Sequence, residues 1–249
     1  MGIGKAIAEA LLRDGMRVTI TGRGAARLAT ACEDLAALGE VAMIVADHAT
    51  AAGADAVIAA MDAAGHIDVL IKNVGFFETR PFTETSDAQW TSLFETNVMS
   101  GVRLARWALP KMLAANQGRI IFIASEQSVR PAVDMTHYAM SKAAQLVIAR
   151  GLAEYTKGTN VTVNTVLPGP TWTEGVEAFI GEMAQSRSVS VAEMQKLFFA
   201  EGNWSSSLIA RFLDPKEPAA VVAFLASDAS SGVNGAAWSA EGGVPRSIL

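Results

Sequence analysis

A serine, a tyrosine and a lysine are spaced so that all three can act on one substrate oxygen. Ser125 ends an apolar run, Tyr138 follows thirteen residues later, and Lys142 follows Tyr138 at i+4. Residues i and i+4 of a helix share a face, so the phenol and the ammonium group project together. A phenol titrates at about pH 10, and a nearby cation lowers its pKa. The spacing therefore predicts a general acid/base pair, with the Ser125 hydroxyl holding the substrate oxygen.

Other polar residues compete for these roles. Ser128 lies three residues after Ser125, and His137 directly precedes Tyr138. Adjacent helical residues point apart, so we expect His137 at the surface or at the edge of the substrate. No Gly-x-Ser-x-Gly elbow surrounds Ser125, and the three histidines, at positions 48, 66 and 137, lack metal-ligand spacing. We therefore expect neither a serine hydrolase nor a metal site.

Apolar runs of strand length alternate with longer helical stretches. The predicted strands are 18–21, 41–46, 69–71, 120–123, 161–167 and 236–240, and the predicted helices are 3–14, 25–38, 50–64, 87–115 and 136–157. Near-continuous apolar strands rich in β-branched residues are typical of parallel strands covered on both faces. The alternation predicts an α/β fold with a doubly wound parallel sheet, helices on both faces and right-handed crossovers, as a single domain over 1–249.

Composition limits the functional classes. Of 249 residues, 51% are hydrophobic and 18% charged, which favours a large buried core over disorder. The net charge is -5 with no basic run, so we expect no nucleic-acid partner. No apolar stretch is long enough to predict a membrane span, and no secretory signal is recognisable. The single cysteine, Cys32, is compatible with a reducing cytoplasm.

Several motifs in this order resemble the short-chain dehydrogenase/reductase family over nearly the whole chain. They are Thr96-Asn97-Val98, Ser125, Tyr138-Ala-Met-Ser-Lys142, Pro168-Gly169-Pro170-Thr171-Trp172-Thr173 and Glu241-Gly242-Gly243. The family spacing favours Ser125 over Ser128. The resemblance implies a Rossmann-type sheet and hydride transfer between a nicotinamide cofactor and a carbonyl or alcohol. It further implies that Tyr138 exchanges the proton, Lys142 lowers the phenol pKa and contacts the nicotinamide ribose, and Asn97 holds a relay water.

The N-terminal sequence Gly2-Ile3-Gly4 resembles the end of the family's dinucleotide loop. Glycines let the backbone approach a pyrophosphate, and the helix N-terminus favours its charge. The family places a strand and a further glycine before this point, in the centre of the sheet. Without that strand, we expect exposed apolar sheet edges, lower stability and weaker cofactor binding than in a version extended upstream.

Further cofactor contacts are implied by the family pattern. The residues concerned are Asp47, Asn73, Gly75, Tyr138, Lys142, Pro168, Gly169, Thr171 and Thr173. The other interpretation of Asp47 is a cap of the helix that follows it. In Lys72-Asn73-Val74-Gly75, Lys72 and Val74 depart from the family's Asn-Asn-Ala-Gly, and Lys72 replaces an amide that helps to tie strands together.

Thr21-Gly22-Arg23 ends the predicted strand at 18–21, which corresponds to the second strand of the family, where an acidic residue would bind the ribose 2′-hydroxyl of NAD. An arginine there can pair instead with the 2′-phosphate of NADP. A solvated loop arginine is the other interpretation of Arg23. With the resemblance, we expect NADP as the cofactor, with NAD as the alternative.

Residues 172–213 carry aromatic and methionine side chains between polar stretches. They are Trp172, Phe179, Met183, Met194, Phe198, Phe199 and Trp204. Ordinary packing of helix faces is one interpretation. A substrate flap over a cleft is the other, and it would favour an apolar or bulky substrate.

The sequence leaves the substrate open beyond a small carbonyl or alcohol. A non-catalytic nucleotide-binding or scaffold protein on the same fold is the alternative function. By analogy with the family, the helices at 87–115 and 136–157 and the C-terminal segment are expected to form a homo-oligomer, either a tetramer or a dimer.

Overall fold

The computed structural model describes residues 2–246, so that Met1 and residues 247–249 of the predicted domain lie outside the described part. Six strands are described: β1 Val18–Gly22, β2 Val41–Val45, β3 Val69–Lys72, β4 Gly118–Ile123, β5 Val161–Pro168 and β6 Ala237–Ala240. The α-helices are α1 Ile3–Arg13, α2 Ala25–Leu35, α3 Ala51–Ala64, α4 Asp87–Leu93, α5 Ser100–Ala115, α6 Thr136–Glu154, α7 Glu174–Ser186, α8 Val191–Ala200 and α9 Lys216–Ala226.

Every described strand pair is parallel, and helices cover both faces, which confirms the predicted fold class. Strands β3, β4, β5 and β6 form one sheet in that order, and β1 and β2 form a second. On one face, Ile7 of α1 and Val222 of α9 pack against Ile121 of β4. On the other face, Met112 of α5 and Ala149 of α6 pack with a second set of apolar side chains from the sheet.

The two sheets are separated by a cavity of about 1300 Å³ between β1 and β3. Val18 and Ile20 line it from one side, and Val69 and Ile71 line it from the other. Gly2 and Gly4 also line this cavity. The predicted division of the sheet into two halves with apolar edges is therefore present among residues 2–246.

The predicted helix at 87–115 is interrupted. Between α4 and α5, Phe94–Met99 adopts a π-helix, and α5 then continues through Pro110 to Ala115. A π-bulge inside a helix frequently marks a functional site. The bulge contains Asn97, which is fully buried.

Residues 172–213 form α7, α8 and a short 3₁₀ turn at Gly202–Trp204. Their apolar side chains build a cluster of their own around Ile180, Met194 and Phe198. Packing therefore accounts for Met194, Phe198 and Phe199, all of which are buried.

Candidate active site

Ser125 lies directly beyond the carboxyl end of β4, where the strand passes into a 3₁₀ turn. Its side chain is buried and accepts a hydrogen bond from the Gln127 backbone N–H at 3.1 Å. Its hydroxyl donates to the Glu126 carboxylate at 2.6 Å. The competing Ser128 hydroxyl is buried without a hydrogen-bond partner among the described residues and does not line the cavity that Ser125 lines.

Helix α6 places Tyr138 and Lys142 on one face, as their spacing predicts. The Lys142 ammonium lies 5.7 Å from the centroid of the Tyr138 ring and donates to the Ile123 carbonyl at 2.8 Å. Both side chains line a cavity of about 330 Å³ together with Ser125. The structure therefore brings the three predicted catalytic residues of β4 and α6 to one cavity.

The pKa of Tyr138 departs from the sequence prediction. Burial raises the pKa of the phenol above its ordinary value, and the Glu126 carboxylate raises it further, while Ser125 acts in the opposite direction. The net shift of the Tyr138 pKa is therefore upward, opposite to the lowering that the spacing to Lys142 predicts, and loss of solvation is its largest cause. Burial also lowers the pKa of Lys142 to about 8, against the raising influence of Glu126.

Asn97 is held by hydrogen bonds from several elements. Its Oδ1 accepts from the Phe76 backbone N–H, and its Nδ2 donates to the Phe76 carbonyl and to Ser141 Oγ, each at 3.0 Å. A Cβ on Gly75 would lie 3.0 Å from Asn97 Oδ1 and 3.5 Å from Lys142 Nζ. Asn97, Gly75 and Lys142 are therefore neighbours, with Gly75 providing the space between the two side chains.

The predicted cofactor segments from three parts of the chain converge at the N-terminus of α1. A Cβ on Gly4 would lie 2.5 Å from Asn73 Nδ2, and one on Gly2 would lie 3.3 Å from Thr173 Cγ2. Ile3 lines both cavities beside them. Within the described residues, no side chain caps the first turn of α1, so the backbone N–H groups of this turn remain available to an anion.

The loop at 168–173 closes the same cavity. A Cβ on Gly169 would lie 2.5 Å from the Glu241 carbonyl, so only glycine permits this close approach of the C-terminal segment. Pro168, Gly169, Thr171 and Thr173 all line the cavity. The Thr171 hydroxyl donates to the Gly169 carbonyl at 2.9 Å, and Thr173 caps α7, so both hydroxyls also stabilise the loop.

Arg23 and Asp47 stand apart from the residues around Tyr138. Arg23 is exposed beyond β1 and lines the larger cavity. Asp47 lies beyond β2 and lines neither cavity; its Oδ1 accepts from the Ala49 N–H at 3.1 Å. Asp47 does not cap α3, because the Thr50 side chain occupies that position and accepts from Gly53.

Two buried residues next to the predicted site, Lys72 and His137, have structural roles. Lys72 is buried in β3 and donates to the Val74 carbonyl, and its stem fills the space above Gly101 of α5. Burial and the neighbouring Lys142 hold the pKa of Lys72 well below its ordinary value. His137 is buried against the Trp90 ring, 5.9 Å between centroids, and does not line the cavity of Tyr138. The predicted surface or substrate-edge position of His137 is therefore wrong, since α4 covers that face of α6.

The sequence interpretation did not name Glu126, Phe77 or Arg27, which line these cavities. Glu126 follows Ser125 directly, and Phe77 lies two residues after Gly75, so proximity to a motif was the available signal. Trp204 was predicted as part of either helix packing or a substrate flap, but no local pattern indicates that its Nε1 donates to Glu126 Oε1 at 3.0 Å. Arg27 lies four residues after Arg23, lines both cavities and pairs with Glu174 of α7 at 2.6 Å.

Among residues 2–246, no cluster of histidine, cysteine or acidic side chains has the geometry of a metal site. No α-helix in this part of the chain is both long and apolar enough to cross a membrane.

Similarity to known proteins covers nearly the whole chain. A family model described as Enoyl-(Acyl carrier protein) reductase matches residues 1–245. The uncharacterized oxidoreductase YvrD of Bacillus subtilis (strain 168) is 45% identical over 247 residues, which cover 99% of this chain and 94% of YvrD. The L-sorbose reductase of Gluconobacter frateurii, solved with NADPH and L-sorbose, superposes with a TM-score of 0.93 at 29% identity, covering 99% of this chain and 94% of that one. A single-residue variant of actinorhodin polyketide ketoreductase, solved with NADPH, superposes with a TM-score of 0.91 at 28% identity, covering 99% and 94%.

Proposed function

The chain belongs to the short-chain dehydrogenase/reductase family, and from this premise we propose that it is an NADPH-dependent reductase of a small carbonyl compound. The observation that carries the proposal is the convergence of Ser125, Tyr138 and Lys142 on one cavity of about 330 Å³. Two proteins of the same fold with 28–29% identity were solved with NADPH.

The residues present fit a dinucleotide phosphate. Gly2 and Gly4 keep the backbone at the start of α1 clear of side chains, and the N-terminus of a helix favours an anion. Arg23 and Arg27 supply two guanidinium groups after β1 that match the 2′-phosphate of NADP. NAD has no 2′-phosphate and would give these two groups no anionic partner. Thr173, Asn73 and Lys142 lie along the continuation of the same surface towards Tyr138. Asp47 is proposed to border the adenine end.

When bound, the reduced nicotinamide would supply hydride to the carbonyl carbon. Ser125 holds the carbonyl oxygen, and the Tyr138 phenol donates a proton to that oxygen as it becomes negative. The raised pKa of Tyr138 keeps the phenol protonated at neutral pH, which suits reduction rather than alcohol oxidation. Lys142 carries a positive charge below about pH 8 and stabilises the developing negative charge. Asn97, which neighbours Lys142 across Gly75, is proposed to position a relay water.

The wall of the cavity supports a flap role for the 172–213 segment. Phe179, Phe198 and Trp204 from this segment line the cavity, facing Phe77 from the opposite side. A substrate with one apolar, planar side fits these rings. We therefore propose a single domain in which α7 and α8 cover the substrate.

We further propose that the protein forms a homo-oligomer, a dimer or a tetramer, through helix α6. Val147 of α6 and Tyr155, which directly follows the last residue of α6, are 74% and 72% exposed. Large apolar side chains on an exposed helix face are typical of an interface. The single cysteine and a soluble cofactor fit a cytoplasmic location.

The proposal is tested by titrating the protein with NADPH and NADH and following nicotinamide fluorescence. NADPH oxidation is then measured with a panel of ketones and aldehydes. We expect tighter binding of NADPH than of NADH, and oxidation that depends on an added carbonyl compound. NADPH binding without oxidation by any member of the panel would favour a non-catalytic nucleotide-binding protein instead.

A further inference from the structure

A buried carboxylate lies beside the catalytic serine and has no part in the proton transfer just described. Glu126 is 4% exposed and lines the cavity of Tyr138. We propose that Glu126 is a specificity-determining residue that selects uncharged ketones with a hydroxyl on the adjacent carbon and rejects ketones with a carboxylate there. The inference rests on the proposed reductase function and names its substrate class.

The partners of Glu126 are neutral donors. Oε1 accepts from Gln127 Nε2 and from Trp204 Nε1, both at 3.0 Å, and Oε2 accepts from Ser125 Oγ at 2.6 Å. A buried carboxylate is unfavourable unless its acceptor positions are filled, and two oxygens offer about four of them. Oε2, with Ser125 as its one donor among the described residues, therefore has room for a donor from the cavity.

Ser125 has a single hydroxyl proton, and this accounts for the preference for ketones with an adjacent hydroxyl. While Ser125 donates to Glu126, it cannot donate to a substrate carbonyl oxygen. A substrate hydroxyl on the neighbouring carbon can replace Ser125 as the donor to Oε2, which frees the Ser125 proton for the carbonyl. The two oxygens of an α-hydroxy ketone sit on adjacent carbons, which matches two protein oxygens 2.6 Å apart. A ketone without the hydroxyl leaves Glu126 one hydrogen bond short.

The charge of Glu126 accounts for the rejection of ketones that carry a carboxylate. A substrate carboxylate beside the ketone would face the Glu126 carboxylate in a buried site, where like charges repel strongly. Lys142, which lines the same cavity, already donates through its ammonium group to the Ile123 carbonyl at 2.8 Å. On the other side of the cavity, the Phe77 ring lies 6.3 Å from the Tyr138 ring and 6.1 Å from the Phe179 ring, which favours an apolar substituent there.

Three phenyl ketones of matched size separate these effects: 2-hydroxyacetophenone, propiophenone and benzoylformate. Binding is measured by calorimetry to the Tyr138→Phe protein, whose turnover is expected to be about 10²–10⁴-fold slower, both with and without saturating NADPH. We expect 2-hydroxyacetophenone to bind roughly 10- to 100-fold more tightly than propiophenone, the range for a hydrogen bond to a charged group. Benzoylformate is expected to bind most weakly.

Glu126→Gln in the same background is the decisive variant. Its amide oxygen can keep the bonds from Gln127 and Trp204, while its NH₂ group replaces the acceptor Oε2. We expect the preference for 2-hydroxyacetophenone over propiophenone to fall to about threefold or less and benzoylformate to gain at least about tenfold. Glu201→Gln removes a charge from the exposed pair with Arg187, outside the cavity, and should change none of the three affinities.

A pH profile of ketone reduction distinguishes a direct effect of the Glu126 charge on the site from a purely structural role of Glu126. Because Glu126 raises the pKa of both Tyr138 and Lys142, Glu126→Gln in the active protein should move the alkaline decline of ketone reduction to lower pH. Equal affinities for the three ketones, an unchanged preference in Glu126→Gln, or no binding of any of them would overturn the inference. Failure of the protein to bind NADPH would instead contradict the proposed function. The ketone affinities measured without NADPH would still test the role of Glu126.

Discussion

The two halves of the sheet differ in how their residues are supported. In the four-stranded half, β4 and β5 are buried along their whole length, and Ser125, Tyr138 and Lys142 are fixed by hydrogen bonds or packing within that core. In the two-stranded half, Met43 and Val45 of β2 are 42% and 48% exposed, and β1 faces a cavity of about 1300 Å³. The proposed proton-transfer site is therefore held by a packed core, whereas the proposed cofactor half borders the open space between β1 and β3.

The largest expected effect comes from the four-stranded half. Tyr138→Phe removes the proton donor but keeps the ring that packs against Phe77. General acid/base help contributes about 10²–10⁴-fold, so we expect kcat for ketone reduction to fall by that factor. The NADPH dissociation constant should change little.

Steady-state kinetics and fluorescence titration of the same preparation check this prediction. Ser128→Ala, which alters a hydroxyl outside the cavity, is the matched control and should retain wild-type turnover. Retention of more than a tenth of the turnover by Tyr138→Phe would remove Tyr138 from the mechanism.

The second effect concerns the cavity between the sheets. We expect an N-terminal extension of about five β-branched apolar residues and a glycine-containing turn to enter this cavity, since β1 has five residues and β3 has four. Each buried apolar side chain contributes about 1.5–3 kcal/mol, against an ordering cost of about 1–2 kcal/mol per residue. The free energy of unfolding should rise by roughly 3 kcal/mol, with tighter NADPH binding.

Urea denaturation with a glycine/serine extension of the same length provides the comparison. That extension cannot fill an apolar cavity, so it should leave both stability and cofactor affinity as they are. Identical behaviour of the two extensions would show that the cavity does not limit the cofactor half.

The third effect is confined to the cofactor half. Arg23→Ala removes a guanidinium that no described side chain holds, so we expect little loss of stability. A charge-assisted contact to phosphate is worth about 1.5–3 kcal/mol, which corresponds to a roughly 10- to 100-fold weaker affinity for NADPH. Affinity for NADH should stay the same, and parallel titrations of both cofactors measure the difference. An equal loss for both would assign Arg23 to structure rather than to the 2′-phosphate.

The same contrast explains how much was predictable from sequence. Motifs within one strand or helix, such as Tyr138 and Lys142, were located correctly because the 3.6-residue period fixes their common face. Glu126 was missed, and the hydrogen bond that Trp204 donates to it was not predicted, because this bond joins residues 78 positions apart. His137 was misplaced because packing by α4, not its own helix, decides its burial. Net pKa shifts depend on burial, which spacing alone does not give.

The smallest expected effect is the pH dependence of the four-stranded half. Burial lowers the pKa of Lys142 to about 8, so the ammonium is charged below this pH and neutral above it. The rate of ketone reduction should be level below pH 8 and fall above it by up to about tenfold per pH unit, because the charge that stabilises the reacting oxygen is lost. Tyr138, with its raised pKa, remains protonated over the same range and does not cause the decline.

Lys142→Arg supplies the test, since a guanidinium stays charged at every accessible pH. Its rate is expected to be lower, but the decline near pH 8 should disappear; a decline that persists in Lys142→Arg would assign the titration to another group.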